Sequence, residues 1–355
     1  MESGFFVGGD HGGHLLNSLN ASPEELASAL LIELGHKAAP VVEGLAGGAN
    51  NRVFRVLVNG GSWVMKQYFP QSDDQRDRFR AEQSFYAALK ESGVSFVPET
   101  FVWDPVRRLC LMECVEGIAV ASDEITAIEM SQVQRFLSEC QSSVSIERKS
   151  RLPDASEACF SGEAQLNLIE ERLLRLKGIE KGDEVSIAAG DFVERELSVF
   201  WKKVCASVKD RMGHRFDSIL EGKERAMSPS DFGFHNALKR ADGNLVFFDF
   251  EYAGMDDPAK MICDVFCQPR VPVPRRFLPK LIEALSDACG WGHFLEDRVA
   301  ALMPVFQFKW CCIMLNEFLK TGADRRAFAG KAGGDPDFRA RQLALSQAAL
   351  AKIAV

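Results

Sequence analysis

Three polar side chains in the second half of the sequence have the types and spacing that proton transfer and metal binding require. Asp231 and Asn236 are five residues apart in a segment rich in turn formers, and Asp249 follows four apolar residues at the end of a predicted strand. Burial of a carboxylate at such a strand end costs folding free energy unless the group is paired or binds a metal. Together they offer one carboxylate to take a proton, Asp231, and two oxygen ligands for a hard cation such as Mg²⁺, Asn236 and Asp249. Taken singly, each more often has a capping or turn role.

A second group of residues, earlier in the chain, has the pattern of a phosphate site. A glycine-rich turn that contains Gly47, Gly48 and Asn50 lies between two predicted strands, where its backbone N–H groups can approach an anion. An ordinary glycine-rich turn has the same composition. Lys66 is a lone cation in the apolar strand one hairpin later, from which it can reach a phosphate. Glu82, on the helix that follows, is placed to pair with Lys66 and hold it extended.

The first third of the sequence predicts a small, mostly antiparallel sheet that carries one internal helix. A helix over 23–34 comes first, because Ser22-Pro23-Glu24-Glu25 combines an N-cap, a proline at the first helical position and a capping-box glutamate. Another capping box, over residues 72–75, opens the internal helix, which ends at Gly93. The predicted strands cover residues 41–45, 52–58, 62–69, 100–103 and 109–114.

After Gly117 the hydrophobic pattern becomes helical, and the fold class is therefore α+β. A β-rich island over 236–239 and 245–250 interrupts the helices. The division into parts is a flexible tail over 1–20, an N-terminal lobe over 21–116 and a helical C-terminal lobe over 117–355. The helices are predicted over residues 123–139, 162–177, 190–211, 259–267, 275–289, 294–319 and 335–354.

The order of these motifs resembles the aminoglycoside phosphotransferase and choline kinase family, relatives of the protein kinases, over about residues 38–320. Asp231-x4-Asn236 is similar to the family's catalytic loop, and the segment that begins at Asp249 is similar to its metal-binding segment. Lys66 matches the phosphate-anchoring lysine, and Glu82 matches its helix partner. The resemblance implies a two-lobed, protein-kinase-like fold with the active site in the cleft between the lobes.

Further segments take their roles from the same resemblance. Residues 111–117 look like the hinge, where backbone groups around Glu113 and Val115 would meet the adenine. Asp257-Pro258, with Asp264 beyond it, looks like the segment that closes the active-site region. The spacing from Pro258 to Asp264 is longer than the family's usual pattern, so Asp264 fits a helix-capping or loop-anchoring role equally well.

The resemblance implies an ATP- and Mg²⁺-dependent phosphotransferase that uses Asp231 as base to phosphorylate a hydroxyl of a small molecule. The acceptor would be a sugar, amino sugar, amino alcohol or aminoglycoside-like compound. Seven residues separate Asp249 from Asp257, too few for a long segment that docks a peptide. Antibiotic inactivation is a narrower form of this hypothesis. An aromatic cage for a quaternary ammonium group is a further one, although aromatic residues at helical spacing are more often core; its members would be Trp291, Phe306, Trp310 and Phe318.

One departure from the family pattern keeps an alternative open. Pro229 stands two residues before Asp231, where the family usually has a histidine that braces the catalytic loop. Either Pro229 or the nearby His235 would have to supply a different brace, or activity would be reduced. The alternative is a non-catalytic nucleotide-binding pseudokinase with a regulatory or scaffolding role.

Composition and charge exclude other classes of protein. The 355 residues have a net charge of -8, so no general basic field favours nucleic acid or anionic lipid. The sequence has neither a secretory signal pattern nor an uncharged apolar stretch of about 18 residues, so no membrane partner is expected. The ten cysteines lie mostly in apolar runs, which is typical of reduced cysteines in a cytoplasmic protein. The sequence does not specify an oligomeric state.

Overall fold

The computed structural model describes residues 21–45, 51–68, 77–319 and 336–355. The chain divides into two compact units. The first consists of Met1–Gln75 and Pro98–Cys114, and the second of Arg76–Val97 and Val115–Val355.

The first unit is an antiparallel sheet packed against one helix. Helix α1 (Pro23–Glu33) begins with the predicted capping box, in which Ser22 and Glu25 bond reciprocally to each other's backbone N–H. Its buried leucines pack on the sheet to form the core of this unit. The strand order is β1-β2-β3-β5-β4. The strands are β1 (Val41–Leu45), β2 (Asn51–Val58), β3 (Gly61–Tyr68), β4 (Thr100–Asp104) and β5 (Leu109–Glu113).

The internal helix, α2 (Arg78–Glu91), belongs to the second unit. It begins after Asp77, whose carboxylate accepts a hydrogen bond from the backbone N–H of Arg80 at 3.2 Å. The capping box predicted over 72–75 lies outside the described residues. On one face of α2, Phe85 packs on Phe250 with 4.9 Å between ring centroids. This contact joins the helix to the last residue of the predicted β-rich island.

The rest of the second unit is mainly helical, with two small sheets. Strands β7 and β10 pair with each other, and the other sheet has the order β6-β8-β9. The pair β8–β9 confirms the predicted island, whereas β7 and β10 are three residues each, too short for a periodic pattern to reveal. These strands are β6 (Ile118–Ala119), β7 (Ala226–Ser228), β8 (Ala237–Lys239), β9 (Leu245–Phe247) and β10 (Gly254–Asp256).

The predicted helices of this unit are present, although the first begins at Ala127 rather than at 123 and the last ends at Leu350 rather than at 354. Near residue 190 the helix starts earlier than predicted and is continued by a π-helical segment, Val193–Leu197. The short helix Ile146–Lys149 was not predicted. The remaining helices are α3 (Ala127–Ser142), α4 (Ile146–Lys149), α5 (Gly162–Leu176), α6 (Glu184–Phe192), α7 (Ser198–Met212), α8 (Pro258–Cys267), α9 (Leu278–Cys289), α10 (His293–Leu315) and α11 (Pro336–Leu350).

Helix α10 is the centre of the helical core. By length and composition alone, the segment His293–Phe318 is apolar enough to cross a membrane, but 67% of its most apolar window is buried inside the protein. It packs against α5, α7, α8 and α11. This burial is typical of the core helix of a globular unit.

Candidate active site

The loop that carries Asp231 is supported by a short strand pair. Strand β7 runs antiparallel to β10, with Ser228 opposite Gly254. The other edge of β7 is completed by a side chain, because the amide of Gln141 both donates to the carbonyl of Met227 (2.8 Å) and accepts from its N–H (3.1 Å). Gln141 is 9% exposed. A buried glutamine on α3 thus takes the place of a neighbouring strand.

Two consecutive residues at the end of β7 have a left-handed backbone. Ser230 and Asp231 both have φ of 47°, a conformation that is uncommon for residues other than glycine and that persists where surrounding contacts enforce it. The Asp231 side chain is 41% exposed, whereas the preceding Ser230 is 4% exposed. The loop therefore presents the carboxylate of Asp231 while its base is held inside the unit.

Asn236 and Asp249 are brought together by the β8–β9 hairpin. Asn236 accepts a hydrogen bond at its carbonyl from the N–H of Phe248 (3.1 Å), so Asp249 is the next residue beyond that pairing. The Nδ2 of Asn236 donates to the carbonyl of Asp231 at 3.2 Å, which leaves Oδ1 as the side chain's acceptor. Asp249 has φ of 68°. The structure thus unites the three residues that the sequence singled out, although their functional roles stay predictions.

Glu82 holds the residue after Asp249. The carboxylate of Glu82 is fully buried and accepts a hydrogen bond from the N–H of Phe250 at 3.2 Å. Phe250 also packs on Tyr86 and Phe136, with 5.2 and 6.0 Å between ring centroids. Glu82 thus has a structural role that the sequence did not predict, while its pairing with Lys66 stays a prediction.

A buried lysine on helix α8 is hydrogen-bonded to the loop that carries Asp231. Lys260 on α8 is 1% exposed and donates to Ser230 Oγ (2.7 Å), Asp256 Oδ2 (2.7 Å) and Asp264 Oδ2 (2.9 Å). Burial alone would lower the pKa of Lys260, but the two carboxylates outweigh it and raise this pKa. Burial raises the pKa of Asp256 to about 6, against the attraction of Lys260. The cluster fixes Ser230, the residue immediately before the exposed carboxylate.

Sequence reasoning missed Lys260, although a signal was present. The lysine interrupts an apolar helix and has aspartates four residues before it and four residues after it, the spacing at which side chains meet on one helix face. The structure gives Asp264 the loop-anchoring role that the sequence had left open. Next to it, Asp257 caps α8 and forms a bidentate ion pair with Arg298, whose Nε donates to Oδ1 at 3.0 Å and whose Nη2 donates to Oδ2 at 2.7 Å.

His235 lies beside Asp231 in the same loop. Its Nε2 is 3.6 Å from Asp231 Oδ1, and its side chain is 4% exposed. Its Nδ1 is buried without a hydrogen-bond partner among the described residues. Ser230 and Lys260, rather than Pro229, supply the polar contact that holds the loop to the helical core.

The remaining predicted site residues lie in or next to the first unit. Lys66 on β3 is 6% exposed, pairs in register with Cys110 and lies 5.0 Å from the ring centroid of Tyr68. Glu113 ends β5, where its N–H donates to the carbonyl of Glu99. Val115 is the first residue after the boundary between the units. Gly47, Gly48 and Asn50 lie outside the described residues.

A cavity of about 290 Å³ opens beside Asp231 within the second unit. Ser230, Lys260, Trp310 and Asn316 are among the residues that line it. It is large enough for a small organic molecule. The structure thus places a candidate acceptor site next to the candidate base.

Comparison with known proteins gives one family match in sequence. The model of the phosphotransferase enzyme family, APH, matches residues 41–178. No curated protein matches the chain. The matched part ends before the loop that contains Asp231, so the family model does not cover that loop.

Solved structures match almost the whole chain. Choline kinase LicA from Streptococcus pneumoniae is 16% identical with a TM-score of 0.58, and the match covers 92% of this chain and 98% of that one. A spectinomycin phosphotransferase in complex with ADP and spectinomycin is 11% identical with a TM-score of 0.60, over 90% and 98%. Macrolide 2′-phosphotransferase MphH from Brachybacterium faecium is 15% identical with a TM-score of 0.53, over 92% and 99%.

These comparisons confirm the predicted resemblance and the α+β, protein-kinase-like fold class. The match with a family of phosphotransferase enzymes also supports the prediction that the chain is a small-molecule kinase. At sequence identities of 11 to 16%, these structures show the fold alone. The chemistry of this chain must be inferred from its own residues.

Proposed function

We propose that this chain, similar to phosphotransferases in sequence over residues 41–178 and in fold over most of its length, transfers the γ-phosphoryl group of ATP to a hydroxyl of a small molecule. The observation that carries the proposal is the joint position of Asp231, Asn236 and Asp249. Asn236 bonds to the Asp231 carbonyl through its side chain and to the Phe248 N–H through its own carbonyl. One residue therefore links the candidate base to the candidate metal ligand.

The donor atoms at this point fit a magnesium ion. Mg²⁺ is commonly held by one or two protein oxygen ligands together with substrate phosphates. Oδ1 of Asn236 and the carboxylate of Asp249 supply such oxygens, because Nδ2 of Asn236 is already used by Asp231. When bound, Mg²⁺–ATP supplies the phosphoryl group and neutralises part of its charge.

Each remaining residue has a distinct part in the proposed reaction. Asp231 orients the acceptor hydroxyl and takes its proton while the acceptor oxygen bonds to the γ-phosphorus and the bond from that phosphorus to the bridging oxygen of ATP breaks, which releases ADP. Lys66 contacts the α- and β-phosphates, and Glu82 helps to position it. Backbone groups around Glu113 and Val115 contact the adenine. The acceptor is a sugar, amino sugar, amino alcohol or related metabolite that enters the cavity beside Asp231.

The pseudokinase alternative makes a different prediction about ATP. A kinase should hydrolyse ATP slowly when Mg²⁺ is present and no acceptor is added, and Asp249→Asn should lose that activity. The matched control is Asp287→Asn, which changes an exposed carboxylate on α9 and should behave as the parent. If the wild-type protein binds ATP but neither hydrolyses it nor phosphorylates any compound in a screen of hydroxylated metabolites, the pseudokinase reading is correct.

A further inference from the structure

Basic side chains form one wall of the cavity beside Asp231. Arg172 and Arg175 come from α5 and Lys309 comes from α10, and all three line the cavity. The carboxylate on this wall is that of Glu157. On this wall three cations therefore lie near one carboxylate, while Lys260, Asp231 and Asp264 line other parts of the same cavity.

The charge of Glu157 is already shared between two of these cations. Its carboxylate contacts Arg172 through Oε1 and lies 3.0 Å from Lys309 Nζ through Oε2. Burial would raise the pKa of Glu157, but Lys309 and Arg172 outweigh it and hold this pKa well below its usual range. Glu157 is therefore ionised at neutral pH, and it balances only one of the two positive charges.

Two arginines of this wall have hydrogen-bond donors that no described residue uses. The Nε of Arg172 is buried without a hydrogen-bond partner among the described residues. Arg175, one turn further along α5, is exposed and forms no ion pair with any residue that the structure describes. A charged donor that is removed from water without a partner is costly, and an incoming anion relieves that cost.

The other lysine at the cavity has no capacity left for a ligand. All three N–H groups of Lys260 are used by Ser230, Asp256 and Asp264. Its single positive charge faces two carboxylates, of which Asp264 also lines the cavity. The positive charge that a ligand meets is therefore that of the α5–α10 wall.

The wall is also distinct from the proposed nucleotide contacts. Asp231 lines the cavity, but Asn236 and Asp249 are not among the residues around it. The cavity therefore lies on the acceptor side of the candidate base. Its aromatic residues, Trp310 and Tyr252, supply ring surface, but the two arginines and the lysine of the α5–α10 wall repel a quaternary ammonium group there.

We propose that the acceptor is a small hydroxylated compound that carries an acidic group, a phosphate or a carboxylate, held by Arg175 and Arg172 while its hydroxyl meets Asp231. This inference rests on the proposed kinase function and names its substrate class. Arginine suits both anions, because its planar fork of donors matches their oxygen atoms. The predicted cationic acceptors, amino alcohols and aminoglycosides, fit this wall less well.

The test compares matched compounds on the full-length protein. Acidic probes are ribose 5-phosphate and glycerate, and the neutral and cationic references are ribose, glycerol and choline. Binding is measured by calorimetry and transfer from ATP by phosphate incorporation, so that a probe without turnover still gives a result. We expect the acidic probes of at least one anion class to bind and react better than their references.

Variants locate the effect on the wall. Arg175→Gln should raise the dissociation constant and the KM of the preferred acidic probe about tenfold or more, since a hydrogen bond between charged groups is lost. The control Arg270→Gln replaces an exposed arginine outside the cavity. It should change neither the dissociation constant nor the KM of that probe. The KM for ATP should move far less than the KM for the acceptor.

Three results would overturn the inference. In the first, the acidic probes bind no better than their references. In the second, Arg175→Gln weakens binding of the acidic probe no more than Arg270→Gln does. In the third, Arg175→Gln raises the KM for ATP as much as the KM for the acceptor. Each leaves the kinase proposal standing if Mg²⁺-dependent ATP hydrolysis still requires Asp249. Loss of that requirement would instead contradict the kinase function itself.

Discussion

At the scale of single residues, the loop that presents Asp231 depends on a contact that no sequence motif predicted. Ser230 and Asp231 adopt left-handed backbone conformations, and Lys260 holds Ser230 through a 2.7 Å hydrogen bond. Pro229, two residues before Asp231, has no side-chain donor with which to hold this loop. The polar contact comes instead from the buried ammonium group of Lys260 on α8, which lies between Asp256 and Asp264.

This arrangement predicts that Lys260 is a positioning residue. Lys260→Met removes the charge but keeps the shape, and it leaves Asp256 and Asp264 buried without their cation. We expect the free energy of unfolding to fall by roughly 3–5 kcal/mol, the usual cost of breaking a buried ion pair. Where the variant is still folded, kcat should fall while the KM for ATP changes little.

Urea denaturation and steady-state kinetics measure these two effects. Lys280→Met, which changes an exposed lysine on α9, is the matched control. A Lys260→Met protein with parental kcat would show that the cluster has no part in positioning Asp231.

At the scale of elements, helix α3 forms hydrogen bonds to both segments that position the candidate site, strand β7 and the β8–β9 hairpin. Gln141 completes the edge of β7, and Gln132 bonds to the N–H of Leu245 and the carbonyl of Gly243 in the β8–β9 hairpin. Glu129, in the first turn of α3, forms an ion pair with Lys239 of β8 at 3.0 Å. The helix and its limits were predicted approximately, but these side-chain contacts join residues 86 to 113 positions apart and have no local pattern.

The Glu129 contact predicts a pH dependence of stability. Burial would raise the pKa of Glu129, but hydrogen bonds from Thr126 and Lys239 lower it to about 2. A lowered pKa means that the folded state binds fewer protons than the unfolded state between pH 4.5 and about 2. The contact therefore stabilises the protein above pH 4.5, and this contribution is lost as the pH falls through that range.

Urea midpoints of the parent and of Glu129→Gln at several pH values measure this effect. The parent should be more stable at pH 7, and the difference should shrink as the pH is lowered from 4.5 towards 2. The control Glu283→Gln changes an exposed carboxylate on α9 and should show no such trend. A difference between parent and Glu129→Gln that is constant over this range would contradict the assignment.

At the scale of the whole molecule, the sequence predicted the fold class and most elements because their signals are local. Capping boxes, hairpin turns and helical periodicity marked the sheet-rich part and the helical part. The strand pair β7–β10, by contrast, joins two three-residue strands that are 25 residues apart along the chain. The basic wall beside Asp231 also escaped prediction, because its residues come from α5, α10 and the chain near Glu157.

The net charge of -8 likewise says little about the site. Within this acidic protein, Arg172, Arg175 and Lys309 line one cavity, and the proposed preference for acidic acceptors rests on these three side chains.

Phosphoryl transfer by Asp231→Asn tests the central claim most directly. The acceptor is the best compound from the metabolite screen, and the rate of γ-phosphoryl transfer is measured beside the parent and the control Asp287→Asn. General-base catalysis typically contributes about 10²–10⁴ in rate, so Asp231→Asn should transfer at least about a hundredfold more slowly while it still binds Mg²⁺–ATP. Transfer by Asp231→Asn at the parental rate would show that this carboxylate is not the base.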